Sequence, residues 1–249
     1  MNPLRRDTPH LLVLGTGDST ALDYWNSGYL VTGACGQRLA IDAGFSIKYA
    51  LRDRGLTLAD VDAVFITHIH GDHVHGLERI GYESRYDYKK RVKLIATAEI
   101  LDKLWSECLV GTMGYSSSGR NRLEDFFEPV PVTEGFVFDG IDCRLFPTPH
   151  TKGKPSFGLV LNDRLIVTAD TKAMDWLAAD TSSRAIIHDF SLYRGNPAHA
   201  TYWELLDAYP ESVRKRLWAV HYGDDIERYR ADIERHFAGV AEQGQVFAL

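Results

Sequence analysis

Cysteine is scarce. The chain of 249 residues holds three, Cys35, Cys108 and Cys143, far apart and with no Cys-x-x-Cys pair. That pattern argues against a disulfide framework, and a reducing compartment, the cytoplasm by default, fits it better. Long apolar runs are missing too, and none approaches the length of a membrane span. The opening Met1-Asn2-Pro3-Leu4-Arg5-Arg6-Asp7 leads towards a strand rather than a long apolar segment, so no secretory leader is expected. Positive charge is in deficit: 28 Lys and Arg against 34 Asp and Glu leave a net charge of -6. This balance disfavours holding a polyanion by bulk charge, although a local basic groove stays open. Repeats, low-complexity stretches and linkers are lacking, so residues 1–249 read as one domain with a substantial core.

What the chain does have is concentrated in Thr67-His68-Ile69-His70-Gly71-Asp72-His73. Residues 61–66 before it read as a buried strand, and residues 74–80 after it read as the first turns of a helix. Three imidazoles and a carboxylate on a tight strand-to-helix loop can converge on one point, and this donor set suits Zn²⁺ or a similar borderline cation. His75 falls outside the set and reads as supporting or solvent-facing. His10, His188 and His236 receive no role.

The rest of the chain supplies short apolar strands. Residues 11–14 form one, ending in Gly15-Thr16-Gly17-Asp18, which lacks the third glycine of a dinucleotide-binding turn and reads as a tight turn. Residues 26–32 and 37–42 form a hairpin, 46–54 a helix, 92–96 a strand, and 97–108 a helix with Thr97 as N-cap. The basic run 89–93 reads as a solvated face. Residues 111–122 form an irregular loop, whose Tyr115, Arg120 and Arg122 are candidates to meet a phosphate or a second subunit. Strands are expected over 126–132, 136–138, 141–146, 157–161, 165–168, 185–188 and 217–220, with helices after Thr201 to about 208 and over 225–237, then a short tail at 246–247. His68, His150, Asp170 and His221 each stand at the end of an apolar strand. In a β-rich sandwich such ends can share one edge and point into one cleft.

His-x-His-x-Asp-His after an apolar strand resembles the metallo-β-lactamase superfamily. The resemblance implies an α+β, four-layer αββα sandwich. It also implies two cations, Zn²⁺ with Mn²⁺ as an alternative. His68, His70 and His150 would hold the first, Asp72, His73 and His221 the second, and Asp170 would bridge both. Such a pair polarises a phosphoryl or carbonyl group and acidifies water, which supplies a nucleophile without a serine or cysteine.

His199-Ala200-Thr201 and Thr168-Ala169-Asp170-Thr171 are similar to motifs of the ribonuclease Z-like branch. There the histidine acts near the phosphate, as proton donor to the leaving oxygen or as stabiliser of developing charge. Thr201 would orient it or cap the next helix, and Asp189 stands where the branch has a carboxylate to pair with it. His199, Asp72 and Thr201 are thus the candidate catalytic residues. The branch's tRNA-gripping arm has no room here, because His150 and Asp170 are only twenty positions apart. Stable tRNA binding is not expected. Compact relatives without the arm are cyclic-nucleotide phosphodiesterases and the anti-Pycsar enzymes, homodimers that open cyclic pyrimidine nucleotides. The expectation is therefore a cytoplasmic dinuclear phosphodiesterase, a homodimer away from membranes, that acts on a small cyclic nucleotide. The rivals are a ribonuclease Z-type tRNA 3′-end endonuclease, a carbonyl-ester hydrolase, and a non-catalytic metal-binding regulator.

Overall fold

The computed structural model describes residues 8–117 and 119–249. Most strands are apolar at successive positions because each is covered on both faces, and alternate residues feed different cores. The first half of the chain builds β1 (His10–Gly15), β2 (Gly28–Thr32), β3 (Arg38–Ile41), helix α1 (Ile47–Arg52), β4 (Ala63–Phe65), α2 (Gly71–Val74), α3 (Leu77–Tyr86), β5 (Val92–Thr97), α4 (Ala98–Lys103) and α5 (Val110–Met113). A two-stranded hairpin follows, β6 (Tyr115–Ser116) and β7 (Gly119–Arg120), and then β8 (Phe127–Val132). The second half builds β9 (Gly135–Phe138), β10 (Ile141–Pro147), β11 (Phe157–Leu161), β12 (Leu165–Val167), α6 (Asp175–Ala178), β13 (Ala185–Asp189), α7 (Tyr202–Ala208), α8 (Glu211–Arg214), β14 (Leu217–Val220), α9 (Arg230–His236), β15 (Gly239–Val240) and β16 (Val246–Ala248).

Two seven-stranded sheets result, ordered β16-β1-β2-β3-β4-β5-β8 and β15-β14-β13-β12-β11-β10-β9. Leu11, Val13, Leu39, Ile41 and Phe65 of the first sheet pack against Leu159, Leu161, Leu165, Val167 and Ile187 of the second. Their alternate neighbours Leu14, Ala40 and Val64 turn outward onto Leu51 of α1, Leu77 and Ile80 of α3 and Ile100 of α4. On the far side Val160, Ile166, Ile186 and Ala219 meet Leu177, Leu205, Val213 and Ile233 of α6 to α9. Helix, sheet, sheet and helix are thus separated by three apolar layers, the four-layer αββα arrangement expected.

Several local expectations are refined. The tail at 246–247 is a strand, β16, paired antiparallel to β1 with Leu11 opposite Phe247. The charged helix over 225–237 is two pieces, a 3-10 turn at Ile226–Arg228 and then α9. The helix after Thr97 keeps its cap, with Thr97 accepting from the Ile100 backbone N–H, but it becomes π-helical over Leu104–Leu109. The irregular stretch closes α5 and forms the β6–β7 hairpin. Asn162 and Asp163 turn the β11–β12 hairpin with left-handed φ of 51° and 53°, a conformation that these two residue types tolerate. All three cysteines are free.

Candidate metal centre

Strands β3 and β4 are parallel, as are β12, β13 and β14. Two antiparallel steps through β11 give β10 the same direction as β12. Their C-terminal ends therefore deliver Asp42, His68, His150, Asp170, Asp189 and His221 to one edge of the sandwich, the usual place for a site in sheets of this kind. The four-residue helix α2 begins directly after His70 and sets Asp72 and His73 side by side.

Three overlapping donor groups form there, the third joining Asp189 and His199 to Asp170 and His221. In the first, His70 Nδ1 lies 3.1 Å from His68 Nε2 and 3.0 Å from His150 Nε2. Asp170 Oδ2 is 3.5 Å from His68 Nε2 and 3.6 Å from His150 Nε2. In the second, Asp72 Oδ2 is 3.4 Å from His73 Nε2 and 3.2 Å from His221 Nε2. The other Asp170 oxygen, Oδ1, lies 3.3 Å from His73 Nε2 and 3.4 Å from His221 Nε2. One carboxylate thus divides its two oxygens between two donor sets, with its side chain 3% exposed.

The donors fit a divalent cation in each of the first two sets. Tetrahedral zinc with bonds of about 2.0–2.1 Å spaces its ligand atoms by about 3.3 Å, close to the separations here. Among the described residues His73 Nε2 is buried without a hydrogen-bond partner, an orphan that a cation would satisfy. Burial, reinforced by His68, pushes His70 down to about 4, which leaves its ring neutral and its lone pair available. Burial works against ionising Asp170, yet His221, His73 and His68 outweigh it and hold the carboxyl well below its usual range.

Beside the first set stands His199, whose Nδ1–H donates to Asp189 Oδ2 at 2.9 Å. Its ring stacks on that of His221, with centroids 4.9 Å apart. Burial lowers its basicity, but Asp189 more than compensates and the pKa is raised.

Residues 9–247 match the family of the anti-Pycsar protein Apyc1. This chain belongs to the Apyc1 family. It is 36% identical to the anti-Pycsar protein Apyc1 of Paenibacillus harenae over 229 residues, covering 89% of this chain and 92% of that one. Its fold is similar to that of a diphosphatase of the PhnP family, with a TM-score of 0.78 at 16% identity over 97% of this chain and 98% of the other. It is also similar to the metallo-β-lactamase fold protein YhfI of Bacillus subtilis, with a TM-score of 0.76 at 16% identity over 97% and 99%. The fold is thus that of the metallo-β-lactamases.

In this Apyc1-family chain the rings of the donor sets are held from behind. His68 Nδ1–H donates to Thr67 Oγ1 at 3.0 Å, and that hydroxyl donates to Asp42 Oδ2 at 2.8 Å. His73 Nδ1–H donates to the same Asp42 oxygen at 2.7 Å, and His150 Nδ1–H to the Ala198 carbonyl at 3.0 Å. Each bond fixes a tautomer that turns Nε2 towards the donor set, the usual service of outer-shell groups. The role of Asp42 is not legible in the sequence, where Asp42-Ala43-Gly44 reads as the end of a strand. The backbone is left-handed at Asp42, Ala169 and His221, with φ of 62°, 52° and 60°. Such conformations cost energy in non-glycine residues and gather where a side chain must be aimed.

The remaining candidates divide. Thr201 caps α7 by accepting from the Glu204 backbone N–H at 3.2 Å, which spends its hydroxyl on the helix. Tyr115 and Arg120 lie on the β6–β7 hairpin and Arg122 just beyond it, all three exposed. Among the described residues none of them hydrogen-bonds to a member of either donor set. His75 is exposed and borders, with Gly71 and Asp72, a cleft of about 470 Å³ that Trp25 and Phe45 also line.

Proposed function

We propose that this Apyc1-family protein is a dinuclear metal-dependent phosphodiesterase that hydrolyses small cyclic nucleotides. The observation that carries the reading is the division of the Asp170 oxygens between two donor sets, with the Asp189–His199 pair beside them. His68, His70 and His150 would hold one cation, Asp72, His73 and His221 the other, and Asp170 both. Zn²⁺ suits the imidazole-rich sets, with Mn²⁺ as the alternative. Two bound cations supply an acidified water and neutralise charge on the phosphoryl oxygens.

His199 then does the proton chemistry. With Nδ1–H committed to Asp189, which raises the pKa of the ring, His199 holds a second proton on Nε2 more readily than an ordinary imidazole does. Among the described residues Nε2 has no hydrogen-bond partner, so it is free to donate to the leaving 3′-oxygen. As a water oxygen added to phosphorus and shed its proton to solvent, the P–O3′ bond would break, the Nε2 proton would pass to O3′, and solvent would reprotonate the ring. The cleft beside Asp72 has room for the nucleoside. Tyr115, Arg120 and Arg122 would serve as a closing hairpin in a homodimer, one protomer covering the site of the other.

A panel of cyclic mononucleotides, cyclic dinucleotides and precursor tRNA tests this reading. Turnover of a cyclic mononucleotide that chelation abolishes, and that His199→Ala lowers by about 10²- to 10⁴-fold, is the expected result. Cleavage of precursor tRNA alone would overturn it, as would ester hydrolysis that His199→Ala leaves intact.

A further inference from the structure

The segment after the bridging Asp170 is tied to every part of the site. Thr171 N–H donates to Asp189 Oδ2 at 2.9 Å, the same oxygen that receives His199 Nδ1–H. Ala200 N–H donates to the Thr171 carbonyl at 2.6 Å, and Lys172 N–H to the Pro149 carbonyl, next to His150, at 2.8 Å. The Lys172 side chain then reaches across to the loop that carries His199. Its Nζ donates to the Asn196 carbonyl at 2.8 Å and to the His199 carbonyl at 3.0 Å, and it pairs with Glu204 Oε2.

An ammonium has three hydrogens, and here all three have acceptors. Among the described residues no other donor reaches the Asn196 or the His199 carbonyl. Glu204 is itself fixed, since its backbone N–H and its carboxylate complete the capping box with Thr201 and its Oε1 accepts from Ala173 N–H. One dipeptide therefore sets both ends of the Asp189–His199 hydrogen bond. Thr171 holds the carboxylate, and Lys172 holds the backbone from which the imidazole springs.

We propose that Lys172 is a positioning residue that aims His199 at the leaving oxygen. The proposal rests on the reading of His199 as proton donor. The hydrogen bond to Asp189 and the stack on His221 hold the ring, but neither fixes the place of the backbone that carries it. The grip on the His199 carbonyl fixes that place, and a displacement of about 1 Å at such a group costs on the order of 10²-fold in rate.

The test compares two substrates with the metal-loaded full-length protein. A cyclic mononucleotide expels an alkoxide and needs the proton, whereas bis-p-nitrophenyl phosphate expels a stable phenolate and needs it far less. Lys172→Met is expected to lower kcat on the cyclic nucleotide by at least about tenfold more than on the nitrophenyl ester. KM and bound metal should stay close to the parent's, and Lys172→Arg should recover part of the loss. Equal losses on both substrates would mark a merely structural role and overturn the proposal, as would undiminished turnover of the cyclic nucleotide. His199→Ala, assayed beside it, separates the two failures. If His199→Ala also keeps full turnover, the proton-donor reading fails and the proposal with it. If only Lys172→Met does, the proposal alone falls.

Discussion

His73 and Asp42 are joined by a buried hydrogen bond of 2.7 Å, and Asp42 uses its remaining capacity on the Thr67 backbone N–H and hydroxyl. The carboxylate thereby orients two rings of the donor sets, His73 directly and His68 through Thr67. Outer-shell partners of this kind are worth about 10- to 100-fold in metal affinity. Asp42→Asn is therefore expected to weaken Zn²⁺ binding by about that factor, measured by competition with a chromophoric chelator. Unchanged affinity would show that the rings are oriented without it.

Gly44 lies against the backbone of Asp72. A Cβ built there would sit 2.0 Å from the Asp72 carbonyl oxygen and 2.8 Å from Asn26 Cβ. Gly44→Ala must push the Asp72 backbone away, with an expected cost of about 1–3 kcal/mol from overpacking and reduced metal occupancy. Gly111, exposed near the start of α5, is the contrasting case, since a Cβ there would meet nothing within 4 Å. Gly111→Ala should be neutral or stabilising by up to about 1 kcal/mol. Denaturant unfolding and elemental analysis of the two variants check the contrast, and equal effects would contradict it.

The parts legible in the sequence are those in which residue type and position coincide. His68, His150, Asp170 and His221 stand at strand ends, where a polar side chain after an apolar run has few structural uses. Asp42 escaped because an aspartate before Ala-Gly has an ordinary use as a turn residue, and only its left-handed backbone and its contacts reveal another. Lys172 escaped for a related reason: a single lysine gives no periodic signal, and its acceptors are carbonyls 24 and 27 positions away. Edge strands such as β15 and β16 are two and three residues long, too short for alternation to register.

Cation binding should stabilise the fold. The donor atoms of the two sets converge only in the folded chain, so metal binds the native state preferentially. At a free concentration of about 1,000 times Kd this adds about 4 kcal/mol, which for a domain of this size raises Tm by roughly 10 °C. Ligation requires neutral imidazoles, so the gain should shrink as pH falls below the range where histidine loses its proton. Thermal melts with Zn²⁺ and with chelator at several pH values provide the check. A shift that is absent, or that grows towards acid, would contradict ligation by these histidines.

A part-buried carboxylate, Asp180, predicts acid behaviour away from the candidate metal centre. Arg216 Nη1 lies 2.6 Å from Asp180 Oδ2, with Asp180 only 10% exposed at its side chain, and Nη2 donates to the Asp180 carbonyl at 2.7 Å. Burial works against ionisation of Asp180, but hydrogen bonds from Ser183, Arg216 and Ser182 outweigh it and hold the pKa down to about 2. In the unfolded chain an aspartate titrates near 3.9. The folded value is the lower one, so the stabilisation is complete above about pH 4 and is lost as pH falls through about 2. Asp180→Asn lacks it at every pH. Its deficit against the parent, about 1–3 kcal/mol at neutral pH, should therefore hold constant down to about pH 4 and close between about pH 4 and pH 2. Urea unfolding of both proteins in chelator, which removes the metal contribution from the comparison, measures the gap. A gap as wide at pH 2.5 as at pH 7 would mean that the ion pair is not its source.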